Sequence, residues 1–172
     1  WLQQDLWPEA KRKGIASATF KRALTGVKLQ WDLPDLHPPG TRLPKQRRQS
    51  QSEFRSPAPY FSEKRLRRLA ESGRTLAEKW SETLGRVERR YGVPGHIVLA
   101  IWGRESGYGR ARMTHSALPV LLTKAFMSTR KQLFRRELLA LLQILQQGGV
   151  DKGSMQSSWA GAMGQPQFMP SA

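Results

Sequence analysis

The stretch from Leu133 to Leu145 constrains this chain more than any other. Its leucines at 138, 139, 141, 142 and 145 cover more than one face of a helix, and Gly148-Gly149 stops it. A surface helix needs only an apolar stripe about 100° wide, and one that is apolar beyond that must be enclosed by neighbours. The run therefore predicts a central core helix in a mainly helical fold. Its neighbours follow from the same periodicity. Leu118, Leu121, Leu122, Ala125 and Phe126 form a helical pattern just before it. Further upstream, Leu66, Leu69, Gly73, Leu76, Trp80, Leu84 and Val87 recur at steps of three or four, with arginines and glutamates between them. Ser62 starts that segment, and Gly73 and Gly85 are where it is expected to kink or break.

Gly92-Val93-Pro94-Gly95 is a stop followed by a restart, because proline cannot extend the helix before it but suits the first turn of the next. The helix that follows runs to Glu105 and breaks at Gly107 and Gly109. Counting back three, four, seven and eight residues from Glu105 gives Trp102, Ile101, Val98 and Ile97, all apolar. A solvated glutamate belongs on the opposite face. Burial there would disfavour the charged form and raise the pKa, as a general acid near neutral pH requires. The position also admits a plainer reading, a glutamate paired with Arg104 or another arginine at a frayed helix end.

The amino-terminal part differs in character. Trp1, Leu2, Leu6 and Trp7 are expected to pack on the rest of the protein, and Ser17 to cap a short helix through Leu24. A membrane-lying amphipathic role is the alternative for this segment. Residues 32–60 carry Pro34, Pro38, Pro39, Pro44, Pro57 and Pro59 with a Lys45-Gln46-Arg47-Arg48 cluster, and read as an extended connection. The division expected is an extension over residues 1–61 and a core over residues 62–172. The chain begins at Trp1 without methionine, which reads as a processed or excised piece.

Composition narrows the chemistry. There is no cysteine, so disulfides and thiolate chemistry are excluded. His37, His96 and His115 show no metal-ligand spacing, and neither a metal nor any other cofactor is expected. No run of eighteen apolar residues predicts a transmembrane helix. The net charge of +16 favours an anionic partner: nucleic acid, an anionic membrane surface or an acidic wall polymer. Only Glu105, Glu137 and Asp151 supply carboxylates after residue 91.

The last segment, Ser157-Ser158-Trp159-Ala160-Gly161-Ala162-Met163-Gly164-Gln165-Pro166-Gln167-Phe168-Met169-Pro170-Ser171, mixes small residues with hydroxyl, amide and ring side chains. Its glycines permit close backbone approach, either to another helix or to a ligand. With this segment the chain resembles the membrane-bound lytic murein transglycosylase B family of the lysozyme-like superfamily. The resemblance is carried by Tyr91-Gly92-Val93-Pro94 with Ile101-Trp102-Gly103-Arg104-Glu105-Ser106-Gly107-Tyr108-Gly109. Thr129-Arg130-Lys131 with Phe134-Arg135-Arg136-Glu137-Leu138 carries it next, and then Ser158 to Gly164 with Gln167-Phe168-Met169-Pro170-Ser171.

The resemblance implies a lysozyme-like helical core that cleaves the MurNAc–GlcNAc β-1,4 bond of peptidoglycan without water and leaves 1,6-anhydro-MurNAc. Glu105 matches the single catalytic glutamate. Ser158, Gln167 and Phe168 match sugar-lining positions, and Met163 is counted with them. Arg130 and Lys131 fall where the family places basic residues near the stem peptide. Ser106 stands where threonine is common. The partners implied are glycan strands and stem peptides, in the periplasm or cell envelope of a Gram-negative bacterium, with a monomer expected and no nucleic acid. Family members continue beyond the third motif, so the carboxy-terminal part of the core is expected to be missing.

The residues themselves agree with a one-carboxylate mechanism. Ordinary glycosidases place two carboxylates about 5–10 Å apart. Glu137 lies among arginines and Asp151 follows a glycine turn, so neither is a good partner for Glu105. Two rivals stay open at this level: a peptidoglycan-binding fragment without turnover, and a basic nucleic-acid-binding protein whose affinity would fall steeply with salt.

Overall fold

A computed structural model describes residues 1–41 and 61–172. Pro44, Pro57, Pro59 and the Lys45-Gln46-Arg47-Arg48 cluster lie outside the described residues. The architecture is mainly helical, as expected: a π-helical turn (Leu2–Leu6), seven α-helices and one pair of two-residue strands among the described residues. Two compact units interleave along the chain, one formed by Trp1–Arg42 with Met113–Ala172, the other by Leu43–Arg112.

The first unit is built on α6 (Ala117–Met127) and α7 (Lys131–Gln147), which pack on each other. On α7, Phe134, Leu138, Leu139, Leu141 and Leu142 are buried, as the multi-faced leucine pattern demands. Gly148 ends the helix with a φ of 80°. On α6, Ala117, Leu118, Val120, Leu121, Leu122 and Ala125 are all buried. The amino-terminal segment completes this core, with Leu6 from the π-turn, Ala10 from α1 (Trp7–Arg12), and Phe20 and Ala23 from α2 (Ser17–Leu24) in one apolar cluster with α6 and α7. The Trp1 ring meets Phe126 at 5.1 Å, and Trp7 meets Phe20 at the same separation. Two short strands, β1 (His115–Ser116) and β2 (Gln156–Ser157), pair antiparallel with His115 opposite Ser157.

Ser17 does not cap α2. The capping position is Ala16, and no side chain caps there. The loop is tied down from α7 instead, where Gln146 Oε1 accepts the Ala16 N–H at 2.6 Å and Gln146 Nε2 donates to the Gly14 carbonyl at 2.8 Å.

The second unit holds α3 (Glu63–Lys79), α4 (Ser81–Tyr91) and α5 (Gly95–Ser106), with α3 and α4 both packed on α5. The break in the long amphipathic segment falls at Trp80, not at Gly73 or Gly85, which both sit inside helices. The stop and restart at Gly92–Gly95 is observed, with Gly92 left-handed at φ 69° closing α4 and Pro94 preceding α5. Gly95 lets the helices approach closely, since a Cβ there would lie 3.0 Å from Leu84 Cβ. Among the described residues no helix is long and apolar enough to cross a membrane.

Candidate functional site

Glu105 stands in the last turn of α5, one residue before the helix ends. The apolar face on which it lies is only partly covered: Val98 and Trp102 are half-buried, but Ile97 is 42% and Ile101 50% exposed, and Glu105 itself is exposed. The expected burial of Glu105 is thus corrected. Helical spacing identified its face-mates but carries no information on what covers that face. The buried side of α5 is instead Leu99, Gly103 and Ser106, turned toward its own unit. Nor does an arginine pair with Glu105, since no ion pair reaches it among the described residues. An anion in the last helical turn is disfavoured by the helix dipole by about 0.3–1 kcal/mol. Helix stability therefore gives no reason for a glutamate there.

The end of α5 is closed by an ordered turn. Gly107 takes the left-handed conformation at φ 58°, and its N–H bonds the Gly103 carbonyl at 3.0 Å. Ser106 is buried, and its Oγ accepts the Gly109 N–H at 2.9 Å while donating to the Trp102 carbonyl at 3.3 Å. The hydroxyl is therefore used within the turn. Tyr108 meets Trp102 edge-on at 5.5 Å, and its phenol donates to the Leu69 carbonyl of α3 at 2.9 Å. Burial raises the Tyr108 phenol above its usual range, with Arg110 opposing. A cavity of about 360 Å³ lies beside it between α3 and α5, bordered by Leu66, Leu69, Leu99 and Ala100.

The other candidate residues all belong to the first unit. Ser158, Met163, Gln167 and Phe168 share one tight turn after β2, in which Met163 and Phe168 exchange backbone hydrogen bonds at 2.7 and 3.2 Å. Ser158 Oγ accepts the N–H groups of Ala160 and Ala162 at 3.3 and 3.2 Å, so it shapes the loop. Gln167 adopts a left-handed φ of 56°, and its amide nitrogen donates to the Gly164 carbonyl at 2.9 Å and faces Met113 Sδ at 3.0 Å. Phe168 is 58% exposed, whereas Met163 packs against the core. Gly161 approaches α6 so closely that a Cβ would overlap Leu121 Cδ2. Close helix packing is the role of that glycine.

Arg130 and Lys131 open α7 and are exposed. Arg130 lies 3.9 Å from the Asp35 carboxylate and over the Phe134 ring at 5.4 Å. Lys124 escapes sequence reasoning because it sits within an apolar helical run. It is fully buried, donates to the Pro34 carbonyl at 2.9 Å, and lies over the rings of Phe134 and Trp159 at 5.1 and 4.8 Å. Burial lowers its ammonium below the usual lysine range, Asp35 opposes this and Arg130 adds to it.

The remaining carboxylates after residue 91 both brace backbone. Glu137 is buried and accepts the Ser171 N–H at 3.0 Å and the Ser171 hydroxyl at 2.8 Å. Asp151 Oδ2 accepts the Gly153 N–H at 2.8 Å. Among the described residues, no three His, Asp or Glu side chains gather closely enough to hold a metal ion.

The sequence pattern of one protein family, the transglycosylase SLT domain, matches residues 1–172. This chain belongs to that family. Within it, the membrane-bound lytic murein transglycosylase B of Escherichia coli (strain K12) is 33% identical over 103 residues, which are 59% of this chain and 28% of that one. The crystal structure of SltB3 from Pseudomonas aeruginosa in complex with NAG-NAM-pentapeptide is similar at a TM-score of 0.73 and 32% identity, over 96% of this chain and 42% of that one. Soluble lytic transglycosylase SltB1 from the same organism matches at a TM-score of 0.73 and 30% identity, over 99% of this chain and 54% of that one. The chain thus spans from about a quarter to about half the length of these relatives.

Proposed function

We propose that this chain carries the catalytic glutamate of a peptidoglycan lytic transglycosylase that cuts the MurNAc–GlcNAc β-1,4 bond and forms 1,6-anhydro-MurNAc. The observation that carries the reading is the division of labour among three carboxylates. Glu137 and Asp151 are occupied with backbone donors, while Glu105 stands exposed on an apolar helix face and pairs with no arginine among the described residues. One carboxylate must then do the work of two. Glu105 protonates the glycosidic oxygen as the bond to C1 breaks, and the muramoyl N-acetyl group stabilises the positive charge at C1. The resulting carboxylate takes the proton of the C6 hydroxyl as O6 bonds to C1. Acid and base are the same residue in sequence, and no water is consumed.

In this reading Ser158, Met163, Gln167 and Phe168 line sugar subsites, with the exposed Phe168 ring as an apolar platform. Arg130 and Lys131 meet stem-peptide carboxylates. A NAG-NAM-pentapeptide bound by the similar SltB3 supports glycan and stem peptide as the ligand class. The setting that follows is the periplasm of a Gram-negative bacterium. The reading keeps residues 1–61 as an extension and residues 62–172 as the core, and for the described residues 1–41 the packing of Leu6, Ala10 and Phe20 with α6 and α7 supports it.

The test is digestion of purified sacculi with mass spectrometry of the released fragments. The chain is expected to release anhydro-muropeptides, and Glu105→Gln to slow release by about 10²-fold or more. Undiminished release by that variant would remove Glu105 from the mechanism. A second reading is peptidoglycan binding without turnover. It predicts co-sedimentation with sacculi and no anhydro ends.

A further inference from the structure

We propose that Tyr108 is a positioning residue for Glu105, bolted into a slot that Gly73 and Gly103 keep open. The inference rests on Glu105 being the catalytic acid and base. Gly107, Tyr108 and Gly109 are three consecutive left-handed residues, with φ of 58°, 61° and 81°. Left-handed backbone disfavours side chains, and two of the three positions are glycine accordingly. A tyrosine at the centre is therefore present for what its side chain does.

Its ring lies where two helices lack side chains. A Cβ on Gly103 of α5 would stand 2.7 Å from the Tyr108 Cζ, and one on Gly73 of α3 would stand 2.7 Å from the phenol oxygen. The phenol donates to the Leu69 carbonyl at 2.9 Å, one turn before Gly73 on the same helix. A second tie runs from Arg110 Nη2 to Ser72 Oγ at 3.2 Å. The turn after Glu105 is thus fastened to α3 at two points. Glu105 itself sits between a wall of the slot, Gly103, and the bolt, Tyr108. A general acid must be held within about half an ångström of its productive place. In the second unit α3 supplies that restraint, through a ring rather than through any contact with the carboxylate.

The geometry prescribes a size-swap test. In Gly73→Ala the new methyl would stand 2.7 Å from the phenol oxygen, closer than a Cβ approaches, so the Tyr108 ring is displaced in its slot. Tyr108→Phe removes that oxygen, and the nearest ring atom, Cζ, is then 3.7 Å from the methyl, an ordinary contact. Gly73→Ala is expected to lower kcat on sacculi by about tenfold or more with KM within about twofold, because misplacement acts on the reacting group and not on binding. The double variant recovers most of that loss. Amide hydrogen exchange of residues 105–111 follows the same order, rising in Gly73→Ala and falling back in the double variant, with α7 unchanged. All variants are compared at a temperature where each keeps native circular dichroism. Recovery in neither measurement overturns the proposal, and so does recovery of exchange without turnover. Absent turnover by the unaltered chain, or full turnover by Glu105→Gln, sinks the reading of Glu105 instead. The exchange order then decides the slot by itself.

Discussion

Gly161→Ala puts the packing of the candidate sugar-lining turn to a quantitative test. Gly161 has a φ of +85°, and a Cβ there would overlap Leu121 Cδ2 and lie 3.1 Å from Leu121 Cγ. Leu121 is completely buried on α6, so it has nowhere to retreat. Two costs follow. A left-handed alanine costs about 1–2 kcal/mol, and overpacking a filled core costs about 1–3 kcal/mol. The sum, about 2–5 kcal/mol, corresponds to a fall in Tm of about 4–20 °C for a chain of this size. Gly164→Ala separates the two terms, because Gly164 is also left-handed at +65° but a Cβ there meets only Pro166 Cδ at an ordinary 3.5 Å. It should lose only the backbone term of about 1–2 kcal/mol. Leu121→Ala alone costs about 2–5 kcal/mol by leaving a cavity. Combined with Gly161→Ala, the new methyl enters that cavity and the total falls short of the sum by about 1–3 kcal/mol. Urea unfolding followed by tryptophan fluorescence reads all four stabilities. Equal losses for the two glycine variants, or costs that add within about 0.5 kcal/mol, would falsify the claim that Gly161 is there for helix packing.

Two further outcomes follow from buried polar groups. Glu137→Ala removes the acceptor of two hydrogen bonds from Ser171. Two bonds to a charged group at about 1.5–3 kcal/mol each set an upper range of about 3–6 kcal/mol, and because Ser171 is exposed and water can replace its partner, a cost of about 2–3 kcal/mol is expected. Faster exchange of the Ser171 amide checks it, and unchanged exchange would refute it. Lys124→Met tests linkage: the Lys124 pKa is lowered from 10.5 in the folded chain, so on acidification the unfolded chain takes up this proton first. Folding stability from this group is therefore lost as pH falls from the ordinary lysine range through the lowered value, and regained as pH rises. Urea midpoints between about pH 8 and 11 should show the unaltered chain gaining on the variant with rising pH, and a constant gap would refute the linkage.

What could be read from the sequence was what is local. The leucines of 138–145 demanded an enclosed helix, and α7 is one, ending at Gly148. Glycine and proline at 92–95 act on the backbone within two residues, and they divide α4 from α5 where expected. What escaped depends on partners far along the chain. Gly73 looked like a kink because glycine weakens a helix by about 1 kcal/mol, yet α3 runs straight through it to admit a ring from residue 108. Lys124 carries no local signal within its apolar run, and only the fold brings Pro34, Phe134 and Trp159 around its amine. Ser158 and Ser106 were legible as small hydroxyls, but both spend hydrogen bonds on their own turns. Glu105 shows the limit most plainly, because a periodicity states which residues share a face and never whether that face is covered.

The stretch from Gly103 to Gly109 breaks several local rules at once. A glycine sits inside a helix, a glutamate stands at the negative end of the helix dipole, and a tyrosine occupies left-handed backbone. Two exposed isoleucines flank the same face one and two turns earlier. Each departure costs stability, by about 1 kcal/mol for the glycine, up to about 1 for the anion and about 1–2 for the tyrosine backbone. Single departures of these kinds occur elsewhere, at Gly73, Gly85 and Gln167, but here three fall within seven residues. The glycine and the tyrosine explain each other, since the ring fills the space that the missing side chain leaves. The glutamate is explained by neither, and no packing or pairing among the described residues offsets it. Natural sequences accept such local conflicts where function requires them. On the function proposed for this chain, the conflict that remains is the exposed carboxylate, the group that the proposal makes the acid and base.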